Sequence, residues 1–414
     1  MGVFLFDIKY LNVKKITSIS TFLFILLIPF QNTVLYETPL RFLGKSPSFI
    51  FLLAIFLVVF LEFGFSRFFV FLLLYIVFVN VMSFFEYHDI FVYGRDLKIK
   101  GFSLFFINFI FLIPFLITIK SDFKLVGEWI LSSFLLCVLG VFLVDFFSFD
   151  FFNSAFFHVS NTTEIRPRGF SFEPSMLSIT IISLYLCYIS VAIKKLRSFD
   201  FIVISFLLFL IHSKGGLLCF LIVFNDTFFS LKKRYMFFLL IVILSSFCFL
   251  IFMFVLDFDK HTSTITRGTL VLVPLFSLFE HPFGVGYFGF LDVFHQYLPR
   301  AVEFSKEYIH HNSGFREIDR YLISKTDSSI GSKSFFLNNV IIFGWPFIAL
   351  YFYSLFSAVK KCRTISRKDL EVLVWFIFLS LTLFVEGVGL YALSLGFLVC
   401  RYEMYYANQK KSER

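Results

Sequence analysis

The sequence is poor in charged residues and in the spacings of cysteine and histidine that hold metal ions. Charged residues make up only 16% of the 414 positions, which excludes an ordinary soluble globular protein. None of the six cysteines forms a C-x-x-C pair, so neither a disulfide framework nor a zinc knuckle is expected. There is no H-E-x-x-H or other three-ligand spacing, and we therefore expect no metal and no cofactor.

Motifs of several enzyme classes are also missing. The chain has no G-x-S-x-G or P-loop pattern, which argues against hydrolase and ATPase chemistry, and no S-x-x-K match supports penicillin-binding chemistry. Residues 284–289 match G-x-G-x-x-G, but a dinucleotide site needs a preceding strand and a βαβ unit. We interpret these glycines as a tight backbone approach to a neighbour or to a phosphate. The D-x-D pattern at Asp257 and Asp259 is interpreted as the end of a membrane span.

Long apolar runs dominate what is present. Hydrophobic residues make up 58% of the chain, and the mean hydropathy is +0.86. We predict an all-α, polytopic integral membrane protein that forms a single transmembrane domain over residues 1–414. Twelve stretches can cross a bilayer, at roughly 16–35, 48–65, 68–85, 102–119, 127–147, 175–193, 199–212, 216–230, 236–256, 335–357, 371–385 and 388–404.

Basic residues indicate the orientation of these spans. The net charge of +9 lies in short bursts between apolar runs, as topology signals do, and does not indicate binding to nucleic acid. If the chain starts in the cytoplasm and alternates, most short-loop lysines and arginines fall inside, which predicts that both termini are cytoplasmic. The same topology places all eight histidines on the outer face.

One long connection, residues 257–333, is predicted to form an outer cap. Thr262 and its neighbours can cap a helix that runs through Arg267 to about Phe279, where His281 and Pro282 end it. Residues 288–309 are predicted to form an amphipathic helix on the membrane surface, with an apolar side of Phe288, Phe290, Leu291, Phe294 and Leu298.

The segment before the sixth span carries the strongest candidate site. Arg166 and Arg168 offer two planar guanidinium forks beside Gly169, which suit phosphate or pyrophosphate oxygens. Glu173 stands before Pro174, a residue favoured at the first position of a helix. The pattern predicts a site for an anionic, lipid-linked substrate. The simpler alternative is that the arginines anchor the loop at lipid headgroups and that Glu173 caps the helix.

Three further residues are candidates on the outer face. Arg267 can complete a pyrophosphate clamp, or it can belong to a solvated helix face. His310 or His311 can take a proton from a sugar hydroxyl, or the pair can lie on the surface. Because adjacent histidines on a helix point different ways, a joint metal site is not expected.

With these residues in view, the chain resembles the O-antigen polymerase (Wzy) family, within the wider group of O-antigen polymerases and ligases. Residues 166–175 are similar to the family's R-x-x-G-x-x-x-E-P type signature. Arg267 followed by residues 281–290 resembles an arginine helix leading into a P-x-x-G-x-G turn, and residues 334–346 resemble the re-entry into the membrane. Ligase-like relatives often carry a histidine just before that re-entry. Residues 332–334 are Ser-Lys-Ser here, which favours a polymerase.

The resemblance implies a fold similar to GT-C glycosyltransferases and a metal-independent glycosyl transfer at the outer face of the bacterial inner membrane. The substrates would be oligosaccharides on undecaprenyl pyrophosphate, and the partners would be membrane lipids, a chain-length regulator and a flippase. Glu173 would be the base, with His310 or His311 as alternatives, or Glu173 would orient an arginine or bind a sugar hydroxyl. The pyrophosphate and glycan would lie against Arg166, Arg168, Arg267, Gly169, Gly284 and Gly286.

Three other functions fit parts of the sequence. An O-antigen ligase would use the same chemistry on a different acceptor. A flippase or transporter of lipid-linked oligosaccharides would also suit twelve spans, although it should have short loops and more charges lining a central cavity. The third alternative is a structural partner in an envelope polysaccharide complex, without catalytic activity.

Overall fold

A computed structural model describes most of the chain. The described residues are 2–31, 33–34, 46–63, 67–87, 91–92, 95–96, 101, 105, 124–152, 154, 157, 167–171, 173–192, 198–211, 213, 216–217, 219–220, 262–308, 315, 318–319, 331–383, 385 and 389–412. Three predicted site residues, Arg166, His310 and His311, lie outside them.

The described residues are mainly helical, because a helix satisfies the backbone hydrogen bonds of an apolar segment internally. The helices are α1 (Gly2–Leu27), α2 (Ser48–Phe63), α3 (Arg67–Glu86), α4 (Lys124–Gly140), α5 (Pro174–Val191), α6 (Ser198–Leu210), α7 (Thr262–Glu280), α8 (Gly286–Tyr308), α9 (Phe335–Thr364), α10 (Lys368–Leu383) and α11 (Leu390–Ser412). A π-helical segment, Val141–Phe146, continues α4. The two-residue strands β1 (Phe91–Val92) and β2 (Arg95–Asp96) pair antiparallel, with Phe91 opposite Asp96.

Three helices in the described ranges are long and apolar enough to cross a membrane. They are Val126–Phe146, Pro174–Val191 and Phe335–Thr364, and shorter apolar helices occur at Lys15–Leu27 and Val70–Glu86. This is the composition of a helical membrane protein. The count of twelve spans stays a prediction, because 236–256 and most of 102–119 and 216–230 lie outside the described residues. The predicted first span, 16–35, ends earlier than expected, since α1 stops at Leu27, before Pro29.

Helix α5 lies at the centre of the bundle. It packs against α4, α10 and α11, and 72% of its apolar window is buried. Small polar side chains line it, and Ser178, Thr180, Ser183 and Ser190 are each 0% exposed. Residues of this size allow membrane helices to approach closely, so α5 packs tightly against its neighbours along its length.

The predicted cap helices are present as an α7–α8 hairpin. Helix α7 covers the stretch predicted from Thr262 to Phe279, and α8 covers most of 288–309. One expectation is corrected, because the apolar side of α8 packs against protein instead of lying on the membrane surface. Helix α8 contacts α3, α7 and α9, and its five predicted apolar residues are at most 7% exposed: Phe288, Phe290, Leu291, Phe294 and Leu298.

Candidate functional site

The central feature of the predicted site is a tight turn at Arg168–Ser171, shortly before α5. The backbone N–H of Ser171 donates to the carbonyl of Arg168 at 2.9 Å, which closes the turn. Gly169 has φ +53°, a conformation that side chains disfavour. Arg168 is only 9% exposed, so its guanidinium is held against the protein and does not extend freely into solvent.

Asp145 anchors this turn. Its Oδ2 atom accepts the backbone N–H of Arg168 at 3.0 Å and that of Gly169 at 2.7 Å. The negative carboxylate also attracts the positive side chain of Arg168. Hydrogen bonds to a charged acceptor are the stronger kind, so this contact fixes the position of the arginine backbone.

Aromatic packing holds the other side of the turn. The carbonyl of Phe170 accepts the backbone N–H of Gln31 at 3.1 Å, just beyond α1. Its ring lies 5.0 Å from that of Phe30 and 5.5 Å from that of Phe157. A Cβ on Gly140 would stand 2.6 Å from the Phe170 ring, so only glycine lets the turn rest directly on α4. The turn is therefore fixed between α1 and α4.

Glu173 is the N-cap of α5, as the sequence predicts. Its backbone is extended (φ −136°, ψ 151°), Pro174 follows in the first turn, and the backbone N–H of Leu177 donates to the Glu173 carbonyl at 3.1 Å. The carboxylate makes no side-chain cap bond and accepts instead the hydroxyl of Ser175 at 3.1 Å. Glu173 is exposed, so a carboxylate stands at the surface a few residues after the Arg168 turn.

Arg267 lies on α7 and contacts the end of α10. Its Nη1 donates to the carbonyl of Leu383 at 3.2 Å. A cation at this place also interacts favourably with the negative end of the helix dipole. Arg267 is therefore not simply a solvated residue on the face of α7, because its guanidinium also binds the carbonyl end of α10.

The connection between α10 and α11 lies beside α7, α9 and the first turn of α5. Leu383, bonded by Arg267, is at its start, and the backbone N–H of Phe335 donates to the carbonyl of Val385. At its other end, Gly389 lies against Met176 in the first turn of α5, with a Cβ at Gly389 standing 3.4 Å from the methionine sulfur. Arg267, Phe335 and Met176, each within or directly beside a stretch that carries the family resemblance, therefore lie next to this connection.

The glycines of the G-x-G-x-x-G match serve close backbone packing. Gly284 and Gly286 have φ +81° and +65°. A Cβ on Gly284 would collide with the carbonyl of Ile342, and one on Gly286 with Ser83. Neighbour packing, one of the two interpretations of this motif, is thereby observed. Contact of Gly284 or Gly286 with substrate stays a prediction.

Asp145 is the residue that sequence reasoning missed. The sequence shows it only as one of a few charges near the ends of predicted spans, and nothing in the local pattern links it to the arginine turn. The available signal was its position, since Asp145 and Arg168 flank the same predicted outer connection. Within the described part of the chain, no group of three or more His, Cys, Asp or Glu side chains could hold a metal ion.

The fold and the site define a helical membrane protein with a fixed arginine turn and an exposed carboxylate at the start of a buried helix. No family model matches the chain. Over 237 residues it is 29% identical to a Klebsiella pneumoniae protein described as an uncharacterized 49.5 kDa protein in the cps region. The match covers 55% of this chain and 54% of that protein, so the chain spans about half the length of the curated relative it matches.

Proposed function

We propose that this protein polymerises oligosaccharide repeat units, carried on undecaprenyl pyrophosphate, into a surface polysaccharide of the O-antigen type. The observation that carries the proposal is the Arg168 turn, held by Asp145 immediately before the Glu173 cap of α5. The similarity to a protein of a cps region, a capsular polysaccharide gene cluster, supports a role in polysaccharide biosynthesis. The resemblance to O-antigen polymerases supplies the reaction.

The proposed reaction is a glycosyl transfer at the outer face of the bacterial inner membrane. The bond between the donor sugar C1 and the pyrophosphate oxygen breaks, and a hydroxyl oxygen of the acceptor repeat unit bonds to C1. Arg168 and Arg267, with Arg166, face the leaving pyrophosphate and stabilise its developing charge. Glu173 takes the hydroxyl proton, a role its exposed carboxylate can fill.

The proposal includes a topology. Twelve spans cross the membrane, both termini are cytoplasmic, and the α7–α8 hairpin belongs to the outer cap. A chain-length regulator and a flippase are the proposed partners, because the product needs a defined length and the substrate must reach the outer leaflet.

Complementation of a strain that lacks this protein tests the proposal. Surface polysaccharide would be separated on a gel for wild type, R168A, R267A and E173Q at matched membrane levels. We expect a long ladder from wild type and its collapse to single repeats in the three variants. E303Q is the control, because Glu303 is an exposed residue of α8 and should leave the ladder intact.

Other outcomes identify the competing functions. Absence of any core-linked repeat in the deletion strain, with long chains retained on the lipid carrier, would identify a ligase. Failure of repeats to cross to the outer face would identify a flippase. If the deletion strain lacks the ladder but all three variants restore it, the active site lies elsewhere.

A further inference from the structure

Asp145 lies where a membrane helix departs from its regular geometry. The segment Val141–Phe146 is a π-helix, in which the backbone N–H of Phe147 donates to the carbonyl of Phe142 at 2.8 Å. Such segments are rare and often occur at functional sites, because the extra residue in the turn changes the direction of the side chains that follow. The direction of the Asp145 side chain therefore does not follow from the regular helical repeat of α4.

The turn packs closely on the helix that carries Asp145. A Cβ on Gly169 would stand 3.2 Å from the backbone N of Val141, and one on Gly140 would stand 2.6 Å from the Phe170 ring. The turn thus lies flush on the helix at these two glycines. The carboxylate of Asp145 then meets the two consecutive N–H groups of Arg168 and Gly169.

We propose that Asp145 is a positioning residue that sets the direction of the Arg168 guanidinium toward the pyrophosphate of the lipid-linked donor. The inference rests on the proposed function for the identity of the ligand, but its geometric basis does not. Asp145 fixes the Arg168 backbone on both sides of the Cα, through the N–H of Arg168 itself and through that of the next residue. The opposite charges of the Asp145 carboxylate and the Arg168 side chain also attract each other. Asp145 does not itself need to touch the substrate.

Two substitutions separate the parts of this contact. Asp145→Asn keeps an oxygen that can accept the two N–H groups but removes the charge, while Asp145→Ala removes both. We therefore expect a graded loss of function, with the alanine variant more severe. Misplacing a binding side chain by about 1 Å can cost roughly a hundredfold in rate, so we expect D145A to lower polymerisation by about tenfold to a hundredfold. Asp150→Asn is the matched control, because Asp150 is an exposed carboxylate in the same outer segment.

A double-mutant cycle distinguishes positioning from a general structural role. The full-length protein in detergent would be tested for binding of farnesyl pyrophosphate, with wild type, D145A, R168A and the double variant. If Asp145 acts through Arg168, D145A weakens binding about tenfold in the wild-type background and adds little once Arg168 is absent. Equal losses in both backgrounds, or binding by D145A and D145N equal to that of wild type, would overturn the inference.

Hydrogen exchange of the peptide that contains residues 168–171 gives a readout independent of function. We expect faster exchange in D145A, a smaller change in D145N and none in D150N, with the rest of the bundle unaffected. Unchanged exchange in D145A would overturn the anchoring geometry. If exchange changes as expected but wild type binds no farnesyl pyrophosphate and produces no ladder, the proposed function fails and the orientation of Arg168 toward a pyrophosphate fails with it.

Discussion

At the residue scale, two glycines lock the turn between α7 and α8 to a kink in α9. Gly284 contacts the carbonyl of Ile342, and Gly344 contacts the carbonyl of Pro282, so that neither position has room for a Cβ. Gly344 has φ +65° inside α9, and the backbone N–H of Trp345 donates to the carbonyl of Pro282 at 2.9 Å. The two segments pack backbone against backbone.

We predict that Gly344→Ala destabilises the protein. The positive φ alone costs about 1–3 kcal/mol for a residue with a side chain, and the collision with Pro282 adds to this. Thermal unfolding of the purified protein in detergent measures the effect. Gly268→Ala is the control, because a Cβ at Gly268 on α7 meets no atom within 4 Å and alanine favours the helix by roughly 0.5–1 kcal/mol. Equal unfolding temperatures for G344A and wild type would contradict the prediction.

Only some residues of the site could be predicted from the sequence. Glu173 and Pro174 were found at the start of a helix because proline and an N-cap leave a local pattern. Gly169 was included because it belongs to the signature that resembles the family's, and its positive φ of +53° is known only from the structure. Asp145 was not, because its role depends on backbone groups that are distant in sequence and that only the folded chain brings to its carboxylate.

At the element scale, a group of polar contacts holds the α7–α8 hairpin together near its turn. The hydroxyl of Tyr297 donates to the Glu280 carboxylate at 2.5 Å, and Arg300 pairs with the other oxygen at 3.0 Å. The Arg300 guanidinium also lies 4.8 Å from the centre of the Phe276 ring. These contacts join the last turn of α7 to the middle of α8.

This arrangement predicts an acid-sensitive hairpin. The hydrogen bond from Tyr297, and then the charge of Arg300, lower the pKa of Glu280 below its usual range. A carboxylate whose pKa is lowered by folding adds stability above the unfolded pKa of about 4.3, and that stability is lost as the pH falls through the folded pKa.

Thermal unfolding at pH 7 and below pH 4 checks this. At pH 7 we expect Glu280→Gln to be less stable than wild type. Below pH 4 the difference between the two proteins should shrink, because wild type then loses the contribution of the charged carboxylate. Glu303→Gln is the control on the exposed face of α8 and should follow wild type. An E280Q variant with the pH dependence of wild type would show that the hairpin does not depend on this carboxylate.

The helices themselves were predicted more completely than their environment. The start near Thr262 and the end at His281 and Pro282 are capping and breaking signals, which are local. The apolar side of α8 was equally visible, but an amphipathic pattern does not say whether lipid or protein covers it. Packing on α3 and α9 decided that question.

At the scale of the whole molecule, charge distribution and helix length together predict which parts face each side of the membrane. Helix α9 has 30 residues with a kink at Gly344, and the part after the kink, residues 345–364, is at 1.5 Å per residue long enough to cross a hydrocarbon core of about 30 Å. The α7–α8 hairpin precedes it, and the basic residues Lys360, Lys361 and Arg363 stand at its end. Positive residues favour the cytoplasmic side, so α8 and the end of α9 should lie on opposite sides.

Cysteine labelling tests this topology. Glu303→Cys and Lys360→Cys place single thiols at exposed positions of α8 and α9. The native cysteines among the described residues are buried, and Cys248, outside them, would be replaced by serine. With a membrane-impermeant maleimide and a permeabilised outer membrane, we expect E303C to react in intact cells and K360C only after the inner membrane is opened. The reverse result would show that the orientation in the membrane is opposite to the predicted one. Labelling of both thiols in intact cells would mean that α9 does not cross, and the twelve-span topology would be wrong.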